Sequence, residues 1–120
     1  MTHTISIPFT PPSANVFLRQ HWAQRLRLTN EWRQAVFFCC KEIRMPRFNV
    51  VTIEATIYFP DKRKRDEQNY YTPIDKLVLD SLVKFGFLRD DDPAHVTSFS
   101  VSFDVDKEKP RTEVTISTPS

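Results

Sequence analysis

Apolar and polar residues alternate at Ile5, Ile7 and Phe9 against Thr4, Ser6 and Pro8, the pattern of a short strand with one buried face. Pro11 and Pro12 end it, since proline removes a donor and fixes φ. Period two returns over Val51, Ile53, Ala55, Ile57 and Phe59, again over Thr97, Phe99, Val101, Phe103 and Val105, and once more at Val114 and Ile116. A polar turn over 106–110 suggests that 97–105 and 112–117 form an antiparallel hairpin. Two segments instead follow the helical period. The first carries Trp32, Val36, Cys39 and Ile43, with Thr29 or Asn30 as N-cap, Glu31 in the first turn and Pro46 as its end. The second carries Ile74, Leu77, Val78, Ser81, Leu82 and Phe85, with Thr72 as N-cap, Pro73 in the first turn and Gly86 as its stop. Residues 16–28 show no clean period and read as an exposed loop that a partner orders. The order β-α-β-α-β-β predicts an α+β fold, one mixed or antiparallel sheet with two helices packed on a face.

Length bounds this picture to a single domain over residues 1–120. No run of 18 apolar residues and no basic-then-apolar leader is present, so a cytoplasmic protein without a membrane span is expected. Adjacent Cys39 and Cys40 are poorly spaced for a disulfide or a zinc site and read as buried free thiols. A single glycine excludes a Gly-rich phosphate loop.

Charge changes the picture more. The net charge is only +2, yet residues 1–65 hold 11 Lys and Arg against 4 acids, and residues 66–120 hold 6 against 11. A basic half suits a phosphate backbone, and an acidic half suits a metal. The densest stretch is Lys62-Arg63-Lys64-Arg65-Asp66-Glu67-Gln68-Asn69, with Lys76 and then Asp90-Asp91-Asp92 beyond it. Carboxylates crowded this closely are usually held by a cation or a proton, and Mg²⁺ accepts a few carboxylates together with phosphate oxygens. Metal-assisted phosphodiester cleavage is one reading, and solvated loops and turns are the other. Lys76 likewise reads as a point charge beside a scissile phosphate or as an i,i+4 partner of Asp80. Lone His21 and His95 read as loop or surface residues.

Taken in order, Ile7-Pro8-Phe9 with Pro11-Pro12-Ser13-Ala14-Asn15, Arg65-Asp66-Glu67-Gln68-Asn69, Lys76-Leu77-Val78-Leu79-Asp80-Ser81-Leu82, Gly86, and Asp90-Asp91 before Val96 resemble the RusA-type Holliday-junction resolvases of phages and prophages. The resemblance spans nearly the whole chain. It implies a homodimeric, Mg²⁺-dependent endodeoxyribonuclease, with Mn²⁺ as an alternative ion, that nicks opposed strands of four-way DNA junctions.

By that resemblance Asp66, Lys76 and Asp91 are catalytic and Asp66 and Asp91 hold metal, with Asp90 beside Asp91; Asp90 or, from its place in the longer gap, Asp75 completes the metal shell. Asn15, Gln68 and Asn69 support the site, while Arg19, Arg25, Arg27, Lys62, Arg63, Lys64 and Arg65 carry DNA. The wide apolar surface of the first helix and the free strand edges are the expected dimer contacts. Two departures stand out. Gln68 replaces an acid of the family's Asp-x-Asp-Asn signature, and the gap from Asn69 to Lys76 is longer by a few residues. Either Asp75 or Glu67 stands in for the missing ligand, or this chain binds junctions without cutting them.

Overall fold

The computed structural model describes residues 1–119. Strand β1 (Thr2–Ile7) leads through a short helix α1 (Ala14–Arg19) into the long helix α2 (Trp22–Glu42) and then strand β2 (Val51–Phe59). A single 3₁₀ turn, Glu67–Tyr70, opens helix α3 over 71–84, which is α-helical over Tyr71–Ile74, a π-turn over Asp75–Leu79, and α-helical again over Asp80–Lys84. Strands β3 (Val96–Val105) and β4 (Arg111–Ser117) complete the chain, and the four strands lie in the order β1-β4-β2-β3. The fold is α+β with a mixed sheet, as the alternation of periods implies. No helix is long and apolar enough to cross a membrane.

The sheet's inward face is the alternating set read from the sequence: Ile5 and Ile7, Val51 through Phe59 at every second residue, Val101, Val114 and Ile116 are all buried. Against it pack Trp32, Val36 and Cys40 of α2 and Ile74, Leu77, Val78 and Leu82 of α3. Each such aliphatic side chain contributes on the order of 1.5–3 kcal/mol by leaving water. The opposite face is polar, with hydroxyl pairs across strands at Thr4–Thr115 (3.0 Å) and Thr56–Ser102 (3.2 Å).

Five expectations fail for identifiable reasons. Strands β3 and β4 do not form a hairpin: β3 pairs in parallel with β2, β4 pairs antiparallel with β2 and β1, and β2 lies between them. The connection over 106–110 therefore steps across a strand. Residues 16–28 are helical, because Ser13 caps α1 through the Val16 N–H (3.3 Å) and His21 Nδ1 caps α2 through the Ala23 N–H (3.2 Å). Thr29 is thus inside α2, its hydroxyl donating to the Arg25 carbonyl at 2.7 Å. Thr72 lies inside α3, which Tyr70 precedes with no side-chain cap. Cys40, rather than Cys39, occupies the core stripe, and burial pushes its thiol up to about 12. Gly86 does stop α3, at φ 80.

Candidate active site

The π-turn organises the site. In a regular α-helix, residues five apart diverge by roughly 140°, so Asp75 and Asp80 would look in different directions. Here the Asp80 N–H bonds the Asp75 carbonyl, an i→i+5 contact that adds a residue to the turn and brings both carboxylates to one side. The wider turn also lets Leu77, Val78 and Leu79 be buried in succession.

Asp91 reaches the same place from the following loop, and that loop is fixed at both ends. Phe48 N–H bonds the Phe87 carbonyl (2.8 Å), and Arg89 N–H bonds the Phe48 carbonyl (3.1 Å). On the far side the Val96 N–H bonds the Asp92 carbonyl (2.8 Å). Asp75, Asp80 and Asp91, each half-buried, offer carboxylate oxygens that all lie within 4.8 Å of one another. Burial and then the charges of Asp91 and Asp80 push the Asp75 carboxyl up to about 6, against the opposing pull of Lys76. Burial and a hydrogen bond with Asp91 raise Asp80 as well, opposed by Lys76 and Arg33.

This arrangement suits a hard divalent cation. Asp75, Asp80 and Asp91 are the residues that would hold such an ion, their carboxylate oxygens being close enough to share one. Lys76 is exposed on the same helix, one residue from Asp75.

Of the acids expected at the centre, Asp75 and Asp91 meet, and Asp80, read from the sequence as an ion-pair partner of Lys76, joins them. Asp66 belongs to no cluster of potential ligands among the described residues. Its carboxylate accepts from the Gln68 N–H (3.1 Å) and its carbonyl from the Asn69 N–H (3.0 Å), so it shapes the 3₁₀ turn in which Gln68 and Asn69 sit. Asp90 accepts from the Asp91 N–H at 2.7 Å and belongs to a second group with Asp92 and His95. In that group His95 Nδ1 and Asp92 Oδ1 are 2.6 Å apart, and this bond holds the Asp92 carboxyl below the usual range. Glu67 is exposed.

The cations divide in the same way. Arg65 is committed internally: it bonds Asp61 at 2.9 Å and lies 3.8 Å over the Phe59 ring. Lys62, Arg63 and Lys64 are exposed on that loop, and Arg19 and Arg27 are exposed on α1 and α2. Asn15 is exposed in the first turn of α1. Beside the carboxylates runs a groove of about 480 Å³, lined by Phe17, Leu18, Trp22, Arg25, Leu26 and Thr29 on one side and by Arg33, Thr72, Lys76 and Asp80 on the other. The signal that would have identified Asp80 is its five-residue spacing from Asp75, which acquires meaning only with the π-turn. A scan of protein-family models finds no match to this chain, and no curated protein matches it.

Proposed function

We propose that this chain is a divalent-metal-dependent endodeoxyribonuclease of the RusA type, acting in the cytoplasm on four-way DNA junctions by paired nicks. The observation that supports it best is the convergence of Asp75, Asp80 and Asp91 beside Lys76. Three acids from two segments repel one another in the folded protein, and a hard cation converts that repulsion into binding. The all-oxygen set suits Mg²⁺, with Mn²⁺ as its substitute. When bound, the ion supplies Lewis-acid polarisation of a phosphate oxygen and a water of lowered pKa.

The chain's own residues do the remaining work. Asp75, two turns after Gln68, takes the part of the acid that Gln68 lacks, and Asp80 adds a third carboxylate. Lys76 is a mobile point charge for the phosphate oxygens as negative charge develops. Arg19, Arg25, Arg27 and the exposed Lys62–Lys64 segment carry the DNA backbone, with salt-sensitive and largely sequence-independent affinity. Paired nicks require two sites, hence a twofold homodimer. The absence of Asp66 from the cluster, together with Gln68, favours a second reading: a branched-DNA-binding protein that does not cut.

A labelled synthetic four-way junction incubated in Mg²⁺, Mn²⁺ and EDTA, beside Asp91→Asn, decides between them. Paired nicks that require metal and fall at least about a hundredfold in the variant are expected, since even residues supporting a metal ligand are typically worth 10–100-fold. Binding that survives EDTA with no nick in either ion would leave the non-cleaving reading.

A further inference from the structure

The groove beside the carboxylates is apolar where it meets solvent. Leu18, Trp22 and Leu26, four residues apart along α1 and α2, are 60%, 66% and 50% exposed. A contiguous apolar patch of this kind rimmed by charge marks a binding surface, and a volume of about 480 Å³ is within the ordinary range of ligand sites. Three cations, Arg25, Arg33 and Lys76, line it against one acid, Asp80. Arg33 Nε is shielded from solvent and has no hydrogen-bond partner among the described residues, so one donor remains to be used. Asp80 and Lys76 belong both to this wall and to the carboxylate site. An occupant of the groove is therefore continuous with whatever reaches the acids.

The occupant that matches an apolar wall carrying an exposed indole, an excess of cations and a border shared with the proposed phosphate site is a nucleotide. We infer that the groove receives an unstacked nucleobase of the DNA strand whose phosphate lies at the carboxylates, its ring against Trp22 and Leu26 and its flanking phosphate near Arg25 and Arg33. This inference rests on the nuclease reading and names how that site would recognise a branch point. Withdrawing a base from the stack costs least where pairing is already weakened. An aromatic platform holds any base, because every base has a π-face, and so adds affinity without adding sequence preference. A second copy of the chain is the poorer occupant. Twofold self-pairing would bring the Arg25 and Arg33 rims of two copies together.

The test uses the whole protein at low salt, in EDTA and in Ca²⁺, with labelled junctions that are intact or abasic at the nucleotides flanking the crossover. Wild type should prefer the intact junction by about tenfold, Trp22→Ala should bind both alike, and Trp22→Phe should keep most of the preference. Trp32 is only 1% exposed, so acrylamide quenching of the wild-type protein reports Trp22, and intact junction should protect it more than the abasic one. Equal wild-type affinity for the two junctions, with quenching unchanged by DNA, would overturn the groove while leaving junction binding intact. A Trp22→Ala protein of altered molecular mass that still discriminates the two DNAs would assign the face to a second copy instead. Absence of wild-type binding to any branched DNA would overturn the nuclease reading and this inference with it.

Discussion

On the solvent face of the sheet, Arg111 lies 3.9 Å over the Tyr58 ring and bonds Asp106 and Glu113 at 2.8 Å each. Backbone N–H groups, Lys109 first, and then the Arg111 guanidinium hold the Asp106 carboxyl below its usual range. At α3 the same chemistry is left open. Asp75, Asp80 and Asp91 face one another and have Lys76 nearby without a direct ion pair, and burial with the neighbouring carboxyl groups raises Asp75 and Asp80 rather than lowering them. One group of acids is neutralised by the fold, and the other repels within it. The difference sets an expectation: an external cation should add little at Arg111 and more at α3.

The largest expected effect separates the two regions by metal. Mg²⁺ at a hundredfold excess over its dissociation constant should stabilise the protein by about 2.7 kcal/mol, a rise of several degrees in the melting temperature. Differential scanning fluorimetry should show that rise in wild type and in Arg111→Gln, and not in Asp80→Asn. A rise that survives Asp80→Asn would break the comparison.

A smaller effect sharpens it by pH. Because the Asp75 pKa is raised to about 6, the folded metal-free protein holds a proton that the unfolded chain has already released. The contribution of Asp75 is then fully present at or below about pH 4 and is lost as pH rises through 6, the reverse of paired carboxylates such as Asp106. Discounted for solvent screening at this half-exposed group, the change amounts to about 1 kcal/mol. Chemical denaturation between pH 4 and 7 without metal should show this loss, and Asp75→Asn should reduce it. Mg²⁺ should stabilise more at pH 7 than at pH 5, since protons compete for the same oxygens.

The smallest effect is at the satisfied group. Arg111→Gln should lower the melting temperature slightly, more at low salt than at high salt, and leave any junction cleavage unchanged. A large salt-independent loss would mean that stacking on Tyr58, not charge, is what that arginine contributes.

Much of this was legible in the sequence. Period two gave the strands, and the 74-77-78-81-82 spacing with Gly86 gave α3 and its end, because burial on one face writes itself into the order of residues. Residues 16–28 look like a loop in the sequence for the complementary reason: Leu18, Trp22 and Leu26 face outward, so the helices there show no inward stripe. The supposed hairpin failed because adjacency in sequence says nothing about a strand inserted between two others. Asp80 was passed over because an i,i+4 rule presumes α-helical turns, and an inserted residue changes the backbone without changing the pattern of side chains. Asp66, the clearest acid in the sequence, also caps a turn through one carboxylate oxygen.

The place of β4 between β1 and β2 bears on how the chain comes to fold. Strand β1 has β4 as its pairing partner, and the Thr4 and Thr115 hydroxyls that meet at 3.0 Å are 111 residues apart. During synthesis, β2 can meet β3 through the intervening α3, but the backbone of Ile5 and Ile7 has no strand to pair with until Val114 and Thr112 emerge. Helix α2 can cover the apolar face of β1 early, as the Cys39 thiol donating to the Ser6 carbonyl shows, but the backbone edge of β1 stays unpaired until β4 is made, and closure of the sheet is a late, long-range event.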